Sequence, residues 1–318
     1  MQDPENNEKK WLSGFMKETF REQKRARRWG ILFKLLTFTY LFVGLFLFMN
    51  TGIFEKDFSE QKTHTAMVVV NGVIAADEEA NANSIVTSLR AAFKNEGAKA
   101  VMLVINSPGG SPVQSGYVND EIKRLRGIYP DKKLYAVIAE LGASGGYYIA
   151  VGADEIYADK SSLVGSIGVT ASSFGFVDLM EKVGVERRHY TAGEHKAFLD
   201  PFSPAKTDEA AFWQGVLNST HQQFIKVVEA GRGERLTKDN KDLYSGLIWN
   251  GEQALALGLI DGLGSPGYVA REVIKAEDIV DYSIKPSPLK SFTESLGLSI
   301  GQGLGSLLNT KGSTVELR

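Results

Sequence analysis

Cysteine is absent from this 318-residue chain, and histidine is scarce, at four: His64, His189, His195 and His221. The first absence excludes disulfides, a thiol nucleophile and thiolate zinc sites, but leaves the compartment open, because disulfides are optional outside the cytosol. The second leaves no His-Glu-x-x-His pair and no sequence basis for a zinc hydrolase. A concentrated positive charge is missing too. Lys and Arg number 36 against 38 Asp and Glu, for a net charge of -2, which speaks against nucleic acid as the main partner. No internal repeat recurs at solenoid periods.

Apolar runs are present. Ile31 to Met49 carries Lys34 as its only charge, and a helix of that length just spans a bilayer core of about 30 Å. Arg21, Lys24, Arg25, Arg27 and Arg28 precede it, while Glu55, Lys56 and Asp57 follow. The positive-inside rule then places residues 1–30 in the cytoplasm and everything after about residue 50 outside. A cleaved signal peptide is the rival. The run is longer than a usual signal core, and Asn50-Thr51-Gly52 is a poor cleavage site. The expectation is a basic tail over 1–30, a single-pass anchor over 31–49 and a polar stalk over 50–65. A catalytic domain over 66–285 and a Gly/Ser/Leu-rich tail over 286–318 follow.

Beyond the stalk, short apolar runs alternate with helical spacing. Strands are predicted over Met67–Val70, Ala100–Ile105, Leu134–Ile138, Glu155–Ala158 and Glu186–Tyr190. Helices are predicted over Ser84–Phe93 and Val113–Arg126, the latter with Ser111 and Pro112 suited to its cap and first turn. A buried helix is expected from Ser144 through Tyr147–Val151, a long one from Thr207 to a stop at Gly231, and a short one over Glu252–Leu257 stopped by Gly258. The alternation implies a layered α/β fold with a largely parallel sheet.

Two glycine turns follow two of the strands: Asn106-Ser107-Pro108-Gly109-Gly110-Ser111 and Gly142-Ala143-Ser144-Gly145-Gly146-Tyr147. Small neighbours let a substrate backbone approach the Ser144 hydroxyl, and glycine amides are unshielded. The pattern suits a serine acyl-transfer site. A serine hydroxyl needs a base to take its proton, and either histidine or an uncharged lysine serves. His189, His195 and Lys196 are all candidates on the residues alone. A lysine base requires burial that brings its pKa from about 10.4 toward about 7–8.

The order Asn106-Ser-Pro-Gly-Gly110, Ala143-Ser144-Gly-Gly-Tyr-Tyr148, Val164-Gly-Ser166-Ile-Gly168 and Gly193-Glu-His-Lys196 resembles the signal peptide peptidase A family in its short, single-core form. The run Trp249-Asn-Gly-Glu-Gln-Ala254 through Ile260-Asp261 resembles that family's segment after the catalytic core. The likeness covers roughly residues 66–270 and the anchor. Clp-type proteases and crotonase-fold enzymes share the Asn-Ser-Pro-Gly-Gly turn, so the resemblance implies a layered Clp/crotonase-like domain.

It implies Ser144 as nucleophile, Lys196 as general base, Ser166 orienting the lysine amine, and the N–H groups of Gly110 and Gly145 as the oxyanion hole. Ser111, where some relatives carry glycine, shifts the donor assignment by as much as one residue. No metal or cofactor is called for. The implied substrates are cleaved signal peptides and other unfolded membrane or secreted segments. The implied setting is the cytoplasmic (inner) membrane of a bacterial-type cell, with the catalytic domain periplasmic in a ring- or dome-like homo-oligomer. A crotonase-type acyl-CoA enzyme and a non-catalytic membrane scaffold are the alternatives. The tail from Leu289 to Leu308 reads either as a weakly ordered terminus or as a segment that docks on a membrane, a neighbouring subunit or the substrate groove.

Overall fold

The computed structural model describes residues 4–50, 63–237 and 240–284, in two compact units, Met1–Gln61 and Lys62–Arg318. In the first, α1 (Pro4–Asn50) is one unbroken helix. Its stretch Gly14–Phe46 is long and apolar enough to cross a membrane. Phe38, Tyr40 and Phe42 stand exposed along it. The Thr37 hydroxyl donates to Phe33 O at 2.8 Å, which satisfies it within the helix, as an apolar solvent demands.

The second unit is built on the parallel strands β1 (His64–Asn71), β2 (Ala98–Ser107), β3 (Leu134–Ala143) and β4 (Glu155–Ala158), with β5 (Leu163–Gly165), β6 (Ile248–Asn250), β7 (Gly262–Leu263) and β8 (Ile279–Asp281) completing one sheet. The main order is β6-β5-β3-β2-β1-β8; β4 lies beside β3 and carries β7. Every pairing is parallel except β5 with β6. Strands β2 and β3 are buried almost throughout, which is why they read as continuous apolar runs. Helices α2 (Ala82–Lys94) and α3 (Pro112–Ile128) cross over between the first three strands. Asn81 caps α2 by accepting from Ser84 N, and Ser111 caps α3 by accepting from Gln114 N, with Pro112 in the first turn.

Strand β3 changes partner along its length. Tyr135–Ile138 pairs with β4, whereas Leu141–Ala143 pairs with β5. Against β2 the register slips between Ile105↔Ile138 and Ser107↔Gly142. This bulge carries the end of β3 away from β4 and onto β5. There it begins the short helix α4 (Gly145–Ala150).

Helix α4 is tied down from beneath. The Tyr147 hydroxyl donates to Leu259 O at 2.7 Å. Arg232, at 2 % exposure, ends helix α6 (Thr207–Arg232) and meets Asp261 through two bonds of 2.7 and 3.0 Å. Asp261 also accepts from Ile156 N at 2.7 Å. Burial pushes the Asp261 carboxyl up, but the bonds and charge of Arg232 outweigh it and hold the carboxyl below its ordinary range.

Three expectations are corrected. No strand forms over Glu186–Tyr190; Val183, Val185 and Tyr190 are exposed, and between β5 and α6 only α5 (Val177–Lys182) is regular. Strand β5 pairs instead with β6, from far along the chain, and the stretch itself joins no strand. The expected stalk ends earlier than residue 65, because His64 and Thr65 open β1 and are buried, with His64 Nε2 at 3.0 Å from the Tyr282 hydroxyl. Residues 51–62 of the stalk and the tail 286–318 lie outside the described residues. Gly231 does not stop α6, which runs to Arg232 and caps on Gly233 at φ 56°. A β-carbon on Gly231 would lie 2.2 Å from Val151 O, so this glycine serves the close approach of α6 to the end of α4.

Candidate active site

Ser144 stands where β3 turns into α4, with φ 51° and ψ −122°. A side chain at positive φ is strained by about 1–3 kcal/mol and persists only where its surroundings fix it. They do so here: Ser144 N–H donates to Gly165 O at 2.8 Å, and its carbonyl accepts from Tyr148 N at 2.9 Å. Among the described residues the Ser144 hydroxyl has no hydrogen-bond partner. The sharp turn therefore presents an unpartnered hydroxyl at the carboxyl end of the sheet, the customary place for sites in parallel α/β folds.

The neighbouring turn, at the end of β2, is gripped by Ile74. Ile74 N–H donates to Gly109 O at 2.9 Å, and Ser111 N–H donates to Ile74 O at 2.7 Å. Gly109 N–H is taken by Ser107 Oγ at 3.1 Å. Together these bonds use the amides on both sides of Gly110 and leave the Gly110 N–H without an acceptor among the described residues. The Gly145 N–H, in the first position of α4, has no partner within its helix. The two amides are close. A β-carbon on Gly145 would lie 3.2 Å from Gly110 N and 2.5 Å from Ser115 Oγ, and one on Gly109 would lie 2.6 Å from Gly145 N. Only glycine fits at these positions.

Ser166 follows Gly165, whose carbonyl holds Ser144, and it too has φ 51°. Its N–H donates to Leu247 O at 2.8 Å. The structure thus brings Ser144, Gly110, Gly145 and the Ser166 turn together. It does not bring any candidate base to them. Lys196 and His195 are exposed in the segment between α5 and α6, and His189 Nδ1 lies 2.6 Å from Arg187 Nη2. None of the three lines the cavity beside Ser144.

That cavity, of about 50 Å³, is walled by Tyr148 from α4, the last residue of the serine motif, and by residues to which the sequence reading assigned no role: Ser115 from α3, and Thr220, Gln223 and Phe224 from α6. The Tyr148 and Phe224 rings pack at 5.0 Å, and Asn119 Nδ2 donates to Tyr148 O at 3.0 Å. His221 Nε2 lies 3.1 Å from Ile167 O and links α6 to the turn after Ser166. Tyr148 and Ser115 lie next to the glycine motifs. The α6 residues carry no local signal, because only the tertiary crossing of α6 over α4 brings them in.

A second cavity, of about 830 Å³, lies within the segment Ala171–Trp213 and includes none of the Ser144 surroundings. Its neighbourhood is aromatic: Phe176 stacks on Phe202 at 5.3 Å, and Phe198 meets Trp213 edge-on at 6.1 Å.

Comparison with known proteins matches residues 129–279 to the model of Peptidase family S49, a span that includes Ser144, Ser166 and Lys196. A putative protease of Methanocaldococcus jannaschii is 32% identical over 221 residues, covering 68% of this chain and 70% of the relative. A putative signal peptide peptidase SppA of Enterococcus faecium is 31% identical over 223 residues, covering 68% of this chain and 64% of the relative. A Brucella abortus protein named Na(+)/H(+) antiporter NhaA is 49% identical over 176 residues, 55% of this chain but 24% of that protein. The chain spans about a quarter of the Brucella protein, whose name describes a polypeptide mostly without counterpart here. With a relative matched across most of both chains and a family match that takes in the serine turn, this chain belongs to Peptidase family S49.

Proposed function

We propose that the chain is a membrane-anchored serine endopeptidase acting through an acyl-enzyme on Ser144. The observation that carries this reading is the placement of an unpartnered serine hydroxyl, on left-handed backbone, beside two amides that the fold leaves without acceptors. In the proposed reaction Ser144 Oγ attacks the scissile carbonyl carbon and its proton passes to the Lys196 amine. The negative oxygen is held by the N–H groups of Gly110 and Gly145. Collapse of the adduct expels the amine, which takes the proton from Lys196. Water, activated by the same amine, then releases the acyl group. Ser166 orients the lysine. The reaction needs no metal or cofactor.

Lys196 is exposed in this chain, and a lysine base needs a water-poor surrounding. We assign its delivery to a neighbouring copy in a ring- or dome-like homo-oligomer, each copy lending its lysine to the next serine. Exposed apolar side chains in that segment and on its flanks, Tyr190 within it, Phe174 before α5 and Phe212 on α6, support an assembly surface there. Helix α1 would anchor the assembly in the bilayer, with the basic end cytoplasmic by the positive-inside rule. The name of the Enterococcus relative supports remnant signal peptides and other unfolded membrane or secreted segments as substrates.

Co-expression tests the arrangement. Ser144→Ala and Lys196→Ala are each expected to be inactive on a fluorogenic peptide. Mixed in equal amounts in one oligomer, they recover about a quarter of wild-type activity if the lysine comes from a neighbour. Recovery of none, with mixed oligomers formed, places the lysine and serine of one site in the same copy.

A further inference from the structure

We infer that the cavity beside Ser144 selects a small side chain, alanine or serine in size, on the acyl side of the cleaved bond. The inference rests on the acyl-enzyme reading of Ser144. When the scissile carbonyl oxygen lies between the Gly110 and Gly145 amides and its carbon faces Ser144 Oγ, the side chain of the residue donating that carbonyl enters this cavity, since the same residues form both. Its volume is about 50 Å³. An apolar cavity of about 150 Å³ holds benzene, so a third of that volume leaves room for about two heavy atoms.

The limit is built in by packing. Phe224 is buried at 5 % exposure, and its ring lies tilted by 44° against Tyr148 at 5.0 Å between centroids. Tyr148 cannot swing away with its backbone, because its carbonyl is held by Asn119 Nδ2 at 3.0 Å and its N–H by Ser144 O at 2.9 Å. Thr220 and Gln223, one turn apart on the same face of α6, close the side above this floor. Ser115 on the opposite wall donates to Ser111 O at 3.0 Å, so its hydroxyl is spent on its own helix. The wall is thus set by α6, an element outside every motif that marks the site.

The test is a series of fluorogenic peptides that differ only in the residue before the cleaved bond, alanine, leucine or phenylalanine, with the full chain in detergent micelles or nanodiscs. Each surplus methylene in a fixed pocket costs a factor of roughly 10 or more. Wild type should therefore favour alanine over leucine by at least about tenfold in kcat/KM, and over phenylalanine by more. Phe224→Ala, which opens the floor, should lower the alanine-to-leucine ratio by about tenfold. Gln223→Ala, an exposed position whose change leaves the core intact, should lower it several-fold. Cleavage of the leucine peptide as fast as the alanine one, abolished by Ser144→Ala, overturns the inference and leaves the protease reading standing. An unchanged ratio in a folded Gln223→Ala or Phe224→Ala variant overturns the assignment of the wall. Cleavage of none of the peptides overturns both readings together.

Discussion

Replacing Gly110 by alanine should disable the reaction without touching any reactive side chain. The new β-carbon would sit 2.2 Å from Ile74 O, and 2.9 Å from both Ile74 C and Ile74 N. Real β-carbons keep at least 3.0 Å, so the loop has to retreat by roughly 0.8 Å. Ile74 has little room to yield, since it is fully buried and bonded to both Gly109 and Ser111. The movement falls on Gly110, whose N–H is the proposed donor to the oxyanion. Losing one such donor costs about 10²–10³ in kcat, or about 2.7–4 kcal/mol of transition-state stabilisation. A displacement of about 1 Å is enough for a loss near the lower figure. The crowding should also lower folding stability by about 1–3 kcal/mol. The assay is steady-state hydrolysis of a fluorogenic alanine peptide, with circular dichroism to establish that the variant is folded. The expected result is a fall in kcat with KM changed little, because the donor acts mainly in the transition state. A folded Gly110→Ala enzyme whose kcat stays within about threefold of wild type would refute the assignment of this amide.

Three further outcomes follow from packing and charge. Asp261→Asn leaves Arg232, whose side chain is 1 % exposed, without its counter-charge and should cost about 3–5 kcal/mol in denaturant unfolding. The double replacement Arg232→Met with Asp261→Leu should recover most of that loss, and a single-variant cost under about 1 kcal/mol would contradict the account. Glu121, bonded by Arg124 and by Arg90, is held at a pKa of about 2 by those hydrogen bonds. Its folded pKa lies below the unfolded value of about 4.3, so its contribution is present above that pH and lost as pH falls toward 2. Thermal unfolding of Glu121→Gln should depend less on pH between about 5 and 2 than that of wild type, and parallel curves would contradict this. Lys196→Ala should abolish turnover while leaving the melting temperature nearly unchanged, since the residue is exposed; an active variant would exclude it as base.

The parts of the fold that were legible in the sequence are those fixed by local rules. Ala100–Ile105 and Leu134–Ile138 are continuous apolar runs, as strands buried on both faces must be, and Ser111-Pro112 spells a helix start that the structure confirms. Both glycine turns were legible for the same reason, because backbone that must adopt positive φ or approach another chain closely leaves glycine as its trace. The strand expected at Glu186–Tyr190 does not form: the stretch is irregular and exposed, and the strand that β5 pairs with is β6, a partner about sixty residues further on that no local pattern names. Gly231 misled for a related reason. A helix-ending glycine and one that admits a neighbouring backbone look alike in sequence, and only the 2.2 Å approach to Val151 O separates them. The substrate wall on α6 was out of reach altogether, because Thr220, Gln223 and Phe224 look like any helical face until α6 crosses α4.

Labelling with a serine-reactive fluorophosphonate tests the central claim most directly, with the adduct located by peptide mass spectrometry on the full chain. The account predicts one adduct, on Ser144, absent in Ser144→Ala and formed far more slowly in Lys196→Ala and Gly110→Ala. No adduct on folded, oligomeric protein, or an adduct on another serine that survives Ser144→Ala, would contradict it.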